Sequence, residues 1–201
     1  MRIIGLTGQS GAGKGTLAAL FEQQGIPVID ADAVYHTLLI PPSPCLDELR
    51  AEFTDAILKA DGTLNRPALA EVVFEATDKG RMRLARLNEI THRYVTAQIW
   101  ALLDGYANEG HKAAVIDAPL LIEAGLDKKC DRVIAVLAER EIRVERLMAR
   151  DGLDRERVSA RLDAQPDASF YIEHADVLAY NNGTTDALRA SFPSLLQEVL
   201  S

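Results

Sequence analysis

Short runs of apolar residues, each leading into polar residues, recur along this chain. The first covers Ile3 to Leu6, and later runs cover 26–29, 113–118, 132–138 and 177–180. None alternates strictly between apolar and polar positions, which is typical of parallel strands covered on both faces. Helical patterns separate the runs. We therefore predict an α/β fold in which right-handed βαβ units build a parallel sheet flanked by helices.

The stretch from 41 to 110 has a different pattern. It opens with PPSP and contains no convincing strand. Apolar residues recur at helical spacing instead, around 69–74 and then from 84 to 103. We interpret 41–110 as an all-helical insertion between the second and third strands, and 1–40 with 111–201 as the α/β core.

The net charge, the apolar stretches and the cysteines limit the classes of protein to which this chain can belong. The 201 residues carry a formal net charge of −8, which argues against nucleic acid as the main partner, because a phosphate backbone needs a basic surface. No apolar stretch approaches the ~20 residues that span a bilayer. The first strand follows Met1 closely, so we expect no signal peptide and a cytoplasmic location. Cys45 and Cys130 have no metal-binding or redox spacing and are expected to be isolated thiols.

The first strand leads into a glycine-rich loop with the sequence GQSGAGKGT at 8–16. A helical pattern follows from Thr16 to Gln24, and this strand–loop–helix context is the one a Walker A phosphate loop requires. Glycines let peptide N–H groups crowd around a polyphosphate, and the helix N-terminus and Lys14 add positive charge. Gly15 stands where the pattern G-x-x-x-x-G-K-[S/T] has a hydroxyl residue. The alternative is a surface turn with a solvated lysine.

Polar residues also follow two further strands. Asp30 and Asp32 come after the second run, and Asp117 lies at the end of the third. Ligands of open parallel sheets bind at the carboxyl ends of the strands, so we expect these aspartates to share one crevice with the loop. Phosphoryl transfer needs a phosphate cradle, a metal ion and a carboxylate near the attacking hydroxyl. This convergence indicates an enzyme.

Each aspartate has a chemical and a structural interpretation. We select Asp32 as the group that orients and deprotonates the acceptor, with Asp30 on the same face of an extended chain. Capping of a helix that starts near Ala33 is the alternative for either residue. Asp117 resembles a Walker B acid that holds Mg²⁺ through water, and a turn before Pro119 is its alternative.

A charged segment follows the fourth strand. Seven arginines lie within 140–161 and seven acids within 139–163, which by default indicates a solvated helical face with i,i+4 ion pairs. His92, taken alone, is a surface or satisfied histidine.

Several blocks, in this order, resemble the dephospho-coenzyme A kinase family over essentially all 201 residues. Beside the loop they are VIDAD (28–32), DGTLNRPAL (61–69), LNEITH (87–92), IDAPLLIEAG (116–125), ERLMARDGL (145–153), AQ (164–165) and NNG (181–183). The resemblance implies a P-loop NTPase core and ATP as co-substrate with Mg²⁺. It implies phosphorylation of the 3′-hydroxyl of the ribose of dephospho-CoA, the last step of coenzyme A synthesis.

The resemblance also implies roles for individual residues. The implied catalytic residues are Asp32, Lys14 and Arg140. Those implied to bind ATP are Gly11, Ala12, Gly13, Lys14, Gly15, Thr16, Arg146 and Asn181. Those implied to bind the acceptor are Asp32, Arg66, Asn88, His92 and Asp117. Thr16 and Asp117 would hold the metal, through water. The insertion 41–110 would bind CoA, and the helices of about 139–161 would form a lid over ATP.

Three positions depart from the family pattern. Gly15 removes the usual serine hydroxyl, and the GKGT form resembles adenylate kinases, so we expect Mg²⁺ to be held through water with Thr16 contacting a phosphate. Arg93 stands where proline is usual, and Arg143 where glutamine is usual.

Two other functions stay open from the residues alone. Another nucleoside or nucleotide kinase is favoured by GKGT, and an ATP-dependent switch without turnover would share the loop. We expect a monomer that acts on a small molecule, with neither nucleic acid nor membrane as partner.

Overall fold

The computed structural model describes all 201 residues, and the predicted α/β class is confirmed. Five strands form one sheet in the order β2-β3-β1-β4-β5. Their bounds are β1 (Arg2–Gly8), β2 (Val28–Asp30), β3 (Ala113–Asp117), β4 (Arg132–Leu137) and β5 (Val177–Tyr180). β1 pairs in parallel with β3 and with β4, and β4 pairs in parallel with β5.

Nine α-helices accompany the sheet. They are α1 (Lys14–Gln23), α2 (Ala31–Thr37), α3 (Pro44–Phe53), α4 (Arg66–Val73), α5 (Asp78–Asn108), α6 (Arg140–Asp151), α7 (Arg155–Asp163), α8 (Ala168–His174) and α9 (Thr185–Leu200). No helix is both long and apolar enough to cross a bilayer.

Alternate residues of β4 pack on opposite faces of the sheet. Ile134 and Val136 belong to the core that α1 and α9 cover, where Phe21 meets Phe192 edge to face at 5.0 Å between ring centroids. Ala135 and its neighbours pack instead against α8. Successive strand residues point to opposite faces, so the absence of polar alternation in the sequence reflects helices on both sides.

The chain divides into two compact units. The first contains Met1–Ile29 and Leu103–Ser201, and the second contains Asp30–Leu102. The second unit is helical apart from one isolated bridge between Leu58 and Leu64, and it has a hydrophobic core of its own. Its bounds differ from the expected insertion at 41–110, because α2 belongs to it.

Two local predictions are wrong. Helix α1 begins at Lys14 rather than Thr16, since Gly13 in the left-handed region ends the loop there. Asp30 and Asp32 do not share an extended face, because β2 ends at Asp30 and α2 begins at the next residue. The Asp30 carboxylate accepts a hydrogen bond from the Ala33 N–H at 3.0 Å and caps α2.

Candidate active site

The loop between β1 and α1 is built so that only glycine fits at two positions. Gly11 and Gly13 have φ angles of 78° and 106°. A methyl group on Gly13 would overlap Asn181 Nδ2, and one on Gly11 would lie 3.0 Å from the Arg143 carbonyl oxygen. Both the backbone conformation and the neighbouring atoms therefore exclude other residues.

Two side chains from the sequence after β4 hold the carbonyl side of this loop. Asn181 Nδ2 donates to the Ala12 carbonyl at 2.7 Å. The Arg146 guanidinium donates to the carbonyls of Asn181 at 3.0 Å and Gly183 at 2.9 Å, with longer contacts of 3.5 Å to the carbonyls of Gly11 and Ala12. Both residues were predicted to bind ATP, and in this structure they contact the loop itself.

The backbone N–H groups of residues 11–15, in contrast to the carbonyl groups of the loop, lack hydrogen-bond partners within the protein, with one exception. Apart from Ala12, whose N–H donates to Gln9, the N–H groups of residues 11–15 donate to no protein acceptor. A row of such groups at a helix N-terminus forms a concave site with partial positive charge. This arrangement suits the phosphate oxygens of a nucleotide.

Lys14 and Asp117 meet at the carboxyl end of β3. Lys14 Nζ donates to Asp117 Oδ1 in an ion pair between two largely buried side chains. The register of the sheet brings them together, because Leu6 of β1 lies opposite Asp117. The expectation that Asp117 lies beside the loop therefore agrees with this geometry.

A further contact to the loop comes from the end of α7. Gln165 Nε2 donates to Ser10 Oγ at 2.7 Å, and its Oε1 accepts from the Ser10 N–H at 3.3 Å. The AQ block at 164–165 is part of the family resemblance, but no role for Gln165 was predicted from it. That block was the only feature of the sequence that pointed to Gln165, because a single glutamine forms no recognisable motif.

Three ion pairs of the charged segment join two helices, whereas two others are local, Arg150 with Asp151 and Arg157 with Asp154. Arg140 contacts Asp163 at 2.7 Å, and Arg155 contacts Glu141 at 2.7 Å. Both pairs link α6 with α7. The expected i,i+4 pairs are wrong for these arginines, because the segment folds back as a hairpin and offers closer partners across it.

The second unit carries the remaining predicted residues. Asp32 is exposed in the first turn of α2. Arg66, the first residue of α4, contacts His36 Nδ1 at 2.7 Å, a histidine that sequence reasoning missed. Asn88 and His92 are exposed one turn apart on α5, so they share one side of that helix.

Arg93, one of the departures from the family pattern, is accommodated on α5. It forms an ion pair with Glu48 of α3, and its guanidinium lies 5.1 Å from the Tyr94 ring centroid. Hydrogen bonds from Arg93 and then Tyr94 lower the pKa of the Glu48 carboxyl. The helix continues without a break through this position.

Comparison with known proteins identifies the family. The dephospho-CoA kinase family model matches residues 2–187. A dephospho-CoA kinase of Symbiobacterium thermophilum is 41% identical over 190 residues, covering 94% of this chain and 78% of that protein. The crystal structure of TT1252 from Thermus thermophilus has a TM-score of 0.80 at 33% identity, covering 98% of this chain and 97% of that one. A dephospho-CoA kinase structure from Campylobacter jejuni has a TM-score of 0.72 at 26% identity, covering 99% and 98%. The chain therefore belongs to the dephospho-CoA kinase family.

Proposed function

We propose that the protein transfers the γ-phosphoryl group of ATP to the 3′-hydroxyl of the ribose of dephospho-CoA, giving coenzyme A and ADP. Members of this family are kinases, which use ATP as co-substrate and act on a small molecule. The observation that carries the proposal is the cradle of N–H groups at 11–15, with the Lys14–Asp117 pair beside it. Positioning and charge neutralisation are what phosphoryl transfer requires of a protein.

The phosphates of ATP would bind to the loop from Gly11 to Thr16. Its glycine N–H groups and the N-terminus of α1 bind oxygen anions, and Lys14 supplies a full positive charge. Lys14 would then share its ammonium group between Asp117 and the transferred phosphoryl group. Arg146 and Asn181 would support this binding by keeping the carbonyl oxygens of the loop turned away from the phosphates.

The oxygen donors near the loop suit Mg²⁺. No cluster of three or more His, Cys, Asp and Glu side chains forms a protein cage for a metal. Mg²⁺ commonly keeps several waters and is bound through one or two protein oxygens together with phosphates. Thr16 and Asp117 would hold it through water, with Gly15 contributing no hydroxyl. The ion would neutralise negative charge on the β- and γ-phosphates.

Asp32 would orient the 3′-hydroxyl and accept its proton. It lies at the start of α2 and is exposed, whereas the Asp30 carboxylate is occupied as the helix cap. The second unit would recognise the rest of the acceptor. Within it Arg66, Asn88 and His92 present a cation, an amide and an imidazole to the phosphates and nucleoside of dephospho-CoA, with Asp117 at the phosphoryl side.

The hairpin of α6 and α7 would act as a lid of about 139–161. Arg140 is the residue proposed to stabilise charge on the transferred group, and it would exchange its contact with Asp163 for phosphate when the lid closes. We further propose a cytoplasmic monomer that does not use nucleic acid as a partner, in keeping with the net charge of −8.

One assay tests the proposal. ATP, Mg²⁺ and dephospho-CoA are incubated with the protein, ADP release is coupled to NADH oxidation, and ³¹P NMR locates the new phosphate on the ribose. AMP, adenosine and shikimate serve as competing acceptors. Turnover of one of these in place of dephospho-CoA would favour another nucleoside or nucleotide kinase, and ATP binding without any turnover would favour a switch.

The base assignment has a matched pair of variants. Asp32→Asn is expected to lower kcat about 10²–10⁴-fold with ATP affinity retained, because general-base catalysis contributes that range. Asp30→Asn makes the same change of charge two residues away. Since Asn caps helices as well as Asp, it should keep most of kcat. Equal losses in the two variants would refute the assignment of Asp32.

A further inference from the structure

A cavity beside the phosphate loop lies within the first compact unit. It has a volume of about 500 Å³ and is lined by the ends of β4 and β5 together with residues of α6, the end of α7 and α8. We call it the α6–α8 cavity. Gln9 of the loop lines it, whereas none of residues 11–16 does, and neither does Asp117. A cavity of this volume suits a small organic molecule.

One buried cation in the wall of this cavity has no anionic partner. Arg143 is only 7% exposed, and its Nε donates to the Ala138 carbonyl at 3.0 Å. Its two terminal nitrogens make no hydrogen bond, and no carboxylate lies within ion-pair distance. A buried charge without a partner is unfavourable unless a counter-ion reaches it.

The other charged groups around the cavity already have partners. Arg140 is paired with Asp163 at 2.7 Å. The Asp167 carboxylate accepts from Ser169 Oγ at 2.6 Å and from the Phe170 N–H at 3.3 Å. Burial, and then the charge of Arg140, lower the pKa of Arg143. The terminal nitrogens of Arg143 are therefore the charged groups in this cavity that still lack a partner of opposite charge.

The remaining lining selects the kind of anion. Apolar side chains form much of the wall, among them Leu137, Leu162, Pro166 and Ile172. Three carboxylates also line it, those of Glu139, Asp163 and Asp167, and they would repel a polyphosphate more strongly than an anion of charge −1. A guanidinium fork pairs with a carboxylate through two parallel hydrogen bonds.

We propose that the α6–α8 cavity is a binding site for a small monocarboxylate with an apolar body, held by Arg143. The carboxylate accepts hydrogen bonds from the terminal nitrogens of Arg143, and the apolar body lies against Leu137, Leu162 and Ile172. This site adjoins the phosphate loop at Gln9 without including residues 11–16, and its test needs no turnover.

The experiment is saturation-transfer NMR on the full chain, with benzoate as the probe. Benzamide has the same shape without the charge, and phenyl phosphate carries a second negative charge. Benzoate is expected to bind at least about ten-fold more tightly than benzamide, because a charge-assisted hydrogen bond contributes that much. It should also bind more tightly than phenyl phosphate, whose second negative charge is repelled by the three carboxylates of the lining. Saturating AMP-PNP should leave benzoate bound.

Two independent variants locate the probe. Arg143→Gln removes the charge and should weaken benzoate binding about ten-fold or more. Ala168 lines the cavity and is exposed at the first position of α8, where a carboxylate is compatible with the helix. Ala168→Glu should weaken benzoate by charge repulsion, and Ala168→Gln, of the same size, should do so much less.

Each possible result either supports the proposed site or overturns it. Loss of benzoate binding in Arg143→Gln or Ala168→Glu, with the Ala168→Gln control near the wild type, supports the site. No binding of benzoate to the wild type overturns it, as does binding that neither charge variant weakens. Displacement of benzoate by AMP-PNP would place the probe in the nucleotide site and also overturn the proposal, without touching the proposed kinase activity. Tighter binding of phenyl phosphate than of benzoate would overturn the choice of a monocarboxylate.

Discussion

Replacing Gly13 by alanine should destabilise the protein far more than the same change at Gly15, two residues along the chain. Gly13 has a φ of 106°, and a methyl group there would overlap Asn181 Nδ2. Gly15 lies inside α1, and nothing stands within 4 Å of the position a methyl group would take. The two substitutions add the same atoms, so their difference measures the environment.

The magnitude follows from two terms. A side chain in the left-handed region costs about 1–2 kcal/mol. To make room, the Asn181 amide must give up its hydrogen bond to the buried Ala12 carbonyl, which costs about 1–3 kcal/mol. We expect Gly13→Ala to lower the free energy of unfolding by about 2–5 kcal/mol. Gly15→Ala should raise it by about 0.5–1 kcal/mol, because alanine loses less entropy than glycine in a helix.

Urea denaturation followed by circular dichroism measures both changes. A double-mutant cycle with Asn181→Ala tests the cause, since removing the amide should cost less in the Gly13→Ala background, where its hydrogen bond is already lost. Gly13→Ala and Gly15→Ala proteins of equal stability would refute the reasoning. So would additive effects of Gly13→Ala and Asn181→Ala, because additivity would mean that the two positions do not interact.

Three further predictions concern the loop and the partly buried thiol of Cys130. Gly15→Ser restores the hydroxyl of the usual pattern, so half-maximal activity should need less Mg²⁺; an unchanged Mg²⁺ titration would contradict this. Gln165→Leu removes both hydrogen bonds to Ser10 and should raise KM for ATP about ten-fold, whereas Gln165→Glu, which still accepts from the Ser10 N–H, should raise it less; equal KM values would count against a positioning role. Burial raises the pKa of the Cys130 thiol to about 12, so only the unfolded state ionises above its own pKa of about 8.5. Stability should therefore fall as the pH rises from about 9 to 11 in thermal melts, and Cys130→Ala, which lacks the thiol, should flatten that fall; parallel curves would contradict it.

The strands and the class of fold could be predicted from the sequence, because buried parallel strands are short apolar runs and the crossovers between them are helical. The phosphate loop could be predicted for the same local reason. The family resemblance, which rested on the order of many short blocks, is confirmed. The expectation that Asp117 lies near the loop rested on the rule that ligands bind at the carboxyl ends of parallel strands, and the observed adjacency of β1 and β3 accounts for its contact with Lys14.

What could not be predicted depends on long-range contacts or on competition between local structures. Asp30 was expected on an extended strand with Asp32, but capping α2 satisfies an otherwise unpaired N–H and ends β2 at that residue. Arg146 reaches the loop carbonyls across more than a hundred residues of chain, and no periodicity records such a contact. In the sequence Arg143 cannot be distinguished from the other arginines of the charged segment, and only the packing shows that it is buried.

The hydrogen bonds from Arg146 and Asn181 to the loop affect how tightly the loop can bind a nucleotide. Fixing the backbone of one residue costs about 1–2 kcal/mol in conformational entropy, and a free loop would lose that ordering entropy when it closed around a ligand. Here the Asn181 amide already holds the Ala12 carbonyl at 2.7 Å, and Arg146 contacts the carbonyls of Gly11 and Ala12 at 3.5 Å, all within the protein itself. The conformational entropy of the loop is therefore lost during folding. Binding of a nucleotide does not have to order the loop again, so the contacts with phosphate contribute more fully to affinity. A chain in which these side chains were truncated would fold with a looser loop and bind ATP more weakly, even though neither side chain need touch the nucleotide.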